Sequence, residues 1–373
     1  MLTWSSGGLL LAFVGVSYAA WVVMTITRVQ ANRAELRGDG VNPATYGFDL
    51  SGLADAGPRL ATLQRLGDGV ITFDASPPPG KWPNVMAPTV ITPQRMREKG
   101  PMGGIMRNAY QRFVLPSDKV FGLTVNGESR AYPIRVLALH EVVNDTLGGV
   151  PVAITYSPLT DSPRAFDRRL NGQTLSLGFS GLVLDNNLLL YDRSDTPTLF
   201  SQLAGAGLSG PLAGQKLTSL GGQLVTWELW NEELATNSTI FAGQDGAATR
   251  YKKENPFEDY WANPDELLYP IGRDPPEGII PKERSLLIRA GGESLLVPLG
   301  RVPARQEGVD AEITLGGVRI QLELIGRPGQ RCLWVIPDAA HQAGVEQIAG
   351  MIFALHALEP DAPIWPGPDA STP

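Results

Sequence analysis

The longest uninterrupted apolar stretch of the chain runs from Gly7 to Ile26, twenty residues without a charged side chain. That is about the length a helix needs to cross a bilayer. Trp4 and Trp21 lie near its ends, where interfacial aromatics gather. No Lys or Arg precedes the run, so the basic region of a cleavable signal is missing. A retained transmembrane anchor over residues 1–27 is therefore expected. Within it Gly8, Ala12, Gly15 and Ala19 recur at helical spacing and share one face. Small residues let a second membrane helix approach closely, so this face is read as a partner-helix contact inside the lipid bilayer.

The pattern changes after the anchor. Residues 28–118 read as an irregular arm, with a short helix near Gly57–Leu66. Ser76–Asn84, SPPPGKWPN, can be neither helix nor central strand and reads as an extended connector. From Val120 onward apolar positions recur at the period of two that half-buried strands require. VFGLTVNGESRAYPIRVL begins at Val120 and SLLIRAGGESLLVPLGRV at Ser285; Gly127, Glu128, Ser129 and Pro133 align with Gly292, Glu293, Ser294 and Pro298. LGGVPVAITY at Leu147 parallels LGGVRIQLEL at Leu315. NGE and GGE are hairpin turns, because Asn and Gly tolerate positive φ. Further strands are predicted over Thr174–Phe179, Leu188–Tyr191 and Leu333–Ile336. Helices are predicted over Pro133–Asn144, Thr226–Ala235 and Gly344–Leu358. The expected fold class is mainly β (α+β): two internally repeated β-rich halves, residues 119–262 and 263–360, with a few short helices and an irregular tail over 361–373.

Composition narrows the function. Charged residues make up 18% of the 373-residue chain, below the roughly 25% of an average soluble domain. The formal charge of −7 leaves no basic surface for nucleic acid. The single cysteine, Cys332, sits in the apolar run RCLWVIP and is expected to be a buried, inert thiol. It can form neither an internal disulfide nor a multi-cysteine metal site. No metal-ligand spacing and no dinucleotide or phosphate-loop signature is present, so neither metal nor cofactor is expected.

The candidate chemistry is concentrated in ALHEVVND and the segment after it. On a helix His140 and Asn144 would share one face, as would Glu141 and Asp145. A histidine beside carboxylates can act as general base or ligand, and the bland alternative is a polar helix end bonding turn backbones. Ser157 has no G-x-S-x-G elbow around it. The other histidines are His341, expected to be exposed, and His356, expected to be a core residue. No catalytic residue is expected. His140, Glu141, Asn144, Asp145 and Ser157 remain a candidate ligand pocket. Phe257, Tyr260 and Trp261 in NPFEDYW cluster aromatics and acids, as an interface loop does, or pack on themselves.

The stretch RAYPIRVLALHEVVNDTLGGVPVAITYSPLTDSPRAFDRR, together with SGLVLDNNLLLYDR, FSQL and GPLAG, resembles an uncharacterised bacterial family of exported proteins, DUF3179-like, over roughly residues 120–360. The resemblance implies a cysteine at the position of Ser157 and often a second at that of Thr160. A C-x-x-C pair supplies a nucleophile and soft ligands, which hydroxyls do not. Their replacement shifts the expectation from catalysis toward binding. Arg28, Arg33 and Arg37 follow the anchor and argue for a cytoplasmic domain. The resemblance implies export, and Glu35 and Asp39 offset the arginines, so a periplasmic domain on a single-pass inner-membrane anchor is expected. The expected function is a non-catalytic accessory or scaffold subunit of a larger integral-membrane complex, respiratory or photosynthetic. The alternative is a periplasmic metal- or small-ligand-binding protein, or enzyme, using the His140/Glu141/Ser157 pocket.

Overall fold

Asn126 and Gly127 stand at φ 48° and 80°, and this local choice starts the fold. They close the turn between β1 (Lys119–Val125) and β2 (Glu128–Pro133), paired residue for residue from Val125↔Glu128 to Val120↔Pro133. The computed structural model describes residues 48–62, 72–74, 85–86, 89–94, 113–243, 257–264, 266–303, 310–325, 331–337 and 344–368. Gly7–Ile26, with Gly8, Ala12, Gly15 and Ala19, lies outside the described residues, as do most of the arm, the Ser76–Asn84 connector and His341. Among the described residues no helix is long and apolar enough to cross a membrane.

The protein is mainly β with a few short helices. After β2 come α1 (Ile134–His140), β3 (Val142–Leu147), β4 (Val150–Ser157) and β5 (Ser162–Asp167). A five-stranded sheet follows, formed by β6 (Leu177–Leu184), β7 (Asn187–Asp192), β8 (Leu199–Ser201) and β9 (Gly207–Ser209), with Leu60–Thr62 on the edge beside β6. The chain returns through β10 (Gln223–Thr226), α2 (Trp227–Leu229) and β11 (Thr239–Gly243). Two sheets result, one containing β10-β1-β2-β11 with Thr89–Ile91 beside β11, the other containing β5-β4-β3 with Thr218–Ser219 beside β5 and Thr72–Asp74 and Val85–Met86 beyond β3. Side chains of the two sheets and of α1, among them Phe121, Tyr132, Leu137, Val143, Ile154 and Tyr156, form one core.

Beyond α3 (Glu258–Ala262) the same order of elements recurs. β12 (Arg284–Ala290) and β13 (Glu293–Pro298) form a hairpin around Gly291 and Gly292 at φ 56° and 85°. A 3₁₀ turn over Leu299–Arg301 stands where α1 stood. Next come β14 (Ala311–Leu315), β15 (Val318–Ile325), β16 (Cys332–Pro337), β17 (Glu346–Met351) and α4 (Ile352–Leu358). The sheets are β17-β12-β13 and β14-β15-β16, matching β10-β1-β2 and β3-β4-β5 strand for strand. Glu128 Oε2 accepts from Gly148 N at 2.8 Å, and Glu293 Oε2 accepts from Gly316 N at 2.8 Å. The two units meet reciprocally: β17 lies against β5, and β10 against β16. Ile348, Phe353 and Leu355 seal the joint against Leu159, Leu188 and Leu203. Each such fully buried side chain contributes about 2 kcal/mol of transfer free energy.

Three predicted helices differ. The helix from Pro133 ends at His140, because Glu141 stands at φ 59° and ψ −33° and the chain continues as β3. The β-branched Val142 and Val143 pair with Thr155 and Ile154, and this pairing outweighs the local helical pattern. Gly344–Leu358 is helical only from Ile352, since Glu346–Met351 forms a six-residue ladder with β12. Its apolar spacing suits either period over so short a run. The described part of the predicted helix Gly57–Leu66 is instead the end of a 3₁₀ segment at Ser51–Arg59, interrupted by Gly57 at φ 53°, followed by the edge strand Leu60–Thr62. The tail has no regular element over 361–368 beyond one bridge at Ile364, yet Trp365 is buried in the core of the second unit.

Candidate functional site

Because the helix predicted over Pro133–Asn144 ends at His140, the residues singled out in ALHEVVND are dispersed. Asn144 and Asp145 are neighbours in a strand, so their side chains point to opposite faces. The Asn144 carboxamide donates to Leu177 O at 2.7 Å and accepts from Leu177 N at 2.9 Å, which stitches β3 to the start of β6. Asp145 faces the other sheet, where it accepts from Arg130 Nη1 at 2.5 Å and from the Tyr132 hydroxyl at 2.9 Å. Burial and the adjacent Asp145 charge push the Tyr132 phenol up. Glu141 is buried, and its backbone oxygen accepts from Tyr156 N at 2.8 Å. His140 is buried at the end of α1. Asn144 and Asp145 thus belong to the architecture, and none of the five opens onto solvent.

Ser157 is fully buried, and its hydroxyl makes no hydrogen bond among the described residues. It begins a tight turn in which Thr160 N donates to Ser157 O at 3.3 Å. The Thr160 hydroxyl joins a buried polar network with Ser162 Oγ at 2.6 Å and Asn187 Nδ2 at 3.1 Å; Gln202 extends it by accepting from Asn187 at 2.9 Å. The aromatic loop closes the turn from outside. The Tyr260 hydroxyl donates to Leu159 O at 2.9 Å and Trp261 Nε1 to Pro158 O at 2.8 Å. Lys282 sits 3.3 Å from the centre of the Tyr260 ring and donates to Tyr260 O at 2.5 Å. Phe257 and Tyr260 are buried, and Phe257 stacks on Trp261 at 6.3 Å. These aromatics pack on the chain's own 157–160 turn and seal it.

One prediction follows for this turn. Ser157→Cys, made in a Cys332→Ala background so that only one thiol is present, should fold with stability within about 1 kcal/mol of the Cys332→Ala single variant, because the hydroxyl it replaces is unbonded. Its thiol should react with a disulfide reagent only as fast as the protein opens. Rapid stoichiometric labelling of the native protein would show that the turn is accessible.

A second group of polar residues converges where the two units meet, and it was not read from the sequence. Lys119 opens β1 and Arg284 opens β12, at positions related by the same offset of 165 as the hairpins. Asp161, at φ 46° before β5, accepts from the Tyr156 hydroxyl at 2.7 Å and pairs with Arg284 Nε at 2.7 Å. Burial pushes the Asp161 carboxyl up to about 6, while the Tyr156 bond pulls it down. Arg164, on β5, donates to Glu346 Oε1 at 2.9 Å and lies 5.2 Å from the Phe166 ring centre. Glu346 also pairs with Arg289 at 3.0 Å. Burial works to raise the Glu346 carboxyl, but the two guanidiniums outweigh it and hold the group near 2. Cys332 completes the wall. Burial raises its thiol to about 11, against the pull of Arg284, so it is a protonated, poor nucleophile at neutral pH. Lys119, Asp161, Arg164, Arg284, Arg331 and Cys332 line a cavity of about 40 Å³.

His356 is buried on α4, and its imidazole is held below its ordinary range by burial and then by Arg273. Among the described residues no three His, Cys, Asp or Glu side chains group as metal ligands. The offset relating Lys119 to Arg284 was visible in the repeat. Asp161, Arg164 and Arg331 carried no such signal, because only the packing of β5 against β17 and of β10 against β16 brings them together.

Fold and site define a mainly β protein with a sealed 157–160 turn and a cationic cleft between two similarly ordered units. The chain belongs to the family described as "Protein of unknown function (DUF3179)", which it matches over residues 83–330. No curated protein and no solved structure matches the chain.

Proposed function

We propose that this chain is a non-catalytic, membrane-anchored accessory subunit, with a β-rich domain that arose by internal duplication and lies on the periplasmic face of a larger integral-membrane complex. A respiratory or photosynthetic assembly is the expected setting. The observation that carries the reading is the state of the 157–160 turn. Where the resemblance implies a reactive cysteine, the chain has a buried serine beneath Tyr260 and Trp261. A nucleophile needs an open approach and a base within reach. The burial of His140 and Glu141, and the use of Asn144 and Asp145 in opposite faces of the framework, also weigh against an enzyme or ligand pocket there.

The duplication reading is supported by the matched strand orders and by the equivalent bonds of Glu128 and Glu293. The apolar run Gly7–Ile26 supports the anchor, which would raise the domain's effective concentration at its partners. Full-length chain carrying an affinity tag, extracted in a mild detergent, should co-elute with integral-membrane proteins in fixed proportion. The same chain lacking residues 1–27 should elute without them. Recovery of the native full-length chain alone, or substrate turnover by the domain, would overturn the proposal.

A further inference from the structure

We propose that the cleft between the two units is a binding site for a small oxyanion, a carboxylate or phosphate head group. The chain carries a net charge of −7, yet Lys119, Arg164, Arg284 and Arg331 line one cavity, and among the described residues Asp161 is the only carboxylate in its lining. Arg284 is neutralised by Asp161 at 2.7 Å and Arg164 by Glu346 at 2.9 Å. Lys119 and Arg331 line the same cavity, half-buried and without an ion pair among the described residues. Two cations in a partly dry space attract an anion more strongly than they would in bulk water.

A second observation is independent of that charge count. Arg164 is 4% exposed, and its Nε is a buried donor with no bond among the described residues. A buried guanidinium N–H left unmade costs more than an average hydrogen bond returns, so such donors in native structures have a reason. Arg164 is one of the side chains that line the cavity. The volume of about 40 Å³ suits a head group rather than a whole metabolite. The reciprocal packing of the units explains the placement. Lys119 and Arg284 occupy equivalent positions at the mouths of β1 and β12 and approach the cavity from opposite units. A ligand held by both would clamp the joint and stabilise the folded chain in proportion to its occupancy.

The test uses the full chain in detergent. Thermal unfolding is followed against sodium phosphate, sodium acetate and sodium chloride at matched ionic strength, so that general screening cancels. The expected result is a saturable rise in midpoint with phosphate or acetate and none with chloride; which of the two acts distinguishes a phosphate from a carboxylate ligand. Calorimetric titration with the active anion should show about a tenfold or greater loss of affinity in the double variant Lys119→Gln/Arg331→Gln, the size expected for losing charge-assisted bonds. Neither side chain is in the core, so the variant should fold. If it does not, Lys119→Gln alone is read the same way. An equal response to all three salts, or an affinity unchanged in a folded variant, would overturn the proposal.

Discussion

Alanine at Gly148 or at Gly316 should destabilise the protein by about 3–5 kcal/mol, whereas alanine one residue later, at Gly149 or Gly317, should cost only about 1–2 kcal/mol. All four glycines have positive φ, from 52° to 78°, so each substitution forces an L-residue into the left-handed region. The pairs differ in what a Cβ meets. At Gly148 it would lie 2.1 Å from Val125 O, and at Gly316 2.4 Å from Ala290 O. Both are backbone atoms of the β1–β2 and β12–β13 hairpins and cannot swing aside. At Gly149 and Gly317 nothing lies within 4 Å. Urea unfolding of the four single variants measures the difference directly. Equal losses at neighbouring glycines would mean that backbone strain alone, without the hairpin contact, accounts for the effect.

Glu346→Gln should cost about 2–3 kcal/mol at neutral pH, and the loss should shrink in acid. Glu346 belongs to the second unit and Arg164 to the first, so their bond at 2.9 Å crosses the joint. Neutralising the carboxylate leaves Arg164 buried with no opposite charge beside it, the situation in which breaking an ion pair is most expensive. The magnitude follows from the carboxyl, which stands near 2 against an ordinary 4.5, discounted because the side chain is 27% exposed. A carboxyl depressed in the folded state contributes its full stability above the unfolded value and loses it as pH falls toward the folded one. Parent and variant should therefore differ most above pH 5 and converge between about 4.5 and 2. Denaturant titrations at pH 6 and pH 3 test this. A gap unchanged at pH 3 would show that shape, not charge, makes the Glu346 contact.

The two predictions sit on opposite sides of what the sequence discloses. The glycine turns were legible because Asn-Gly and Gly-Gly choose positive φ locally, whatever the rest of the chain does. Their recurrence, at an offset of 165 residues for the first turn and 168 for the second, also exposed the matching order of strands. The helical reading of residues 133–144 failed at Glu141, because a ladder with β4, more than ten residues away, decides where that helix stops. Residues 344–351 failed for the same reason, as their apolar spacing fits a helix until β12 is present to pair with them. His140, Glu141, Asn144 and Asp145 are close in sequence, but strand alternation sends Asn144 and Asp145 to different sheets. Asp161, Arg164, Arg284 and Arg331 come from separate segments and form one cleft.

By itself, then, the sequence determined the β-rich class, the paired hairpins and the burial of Cys332, since each depends on turn chemistry or on an apolar period within a few residues, and its motifs identified the family. The tertiary structure decided which polar groups meet. That depends on how one unit lies against the other, a matter of side-chain packing over the whole chain that no short window of residues encodes.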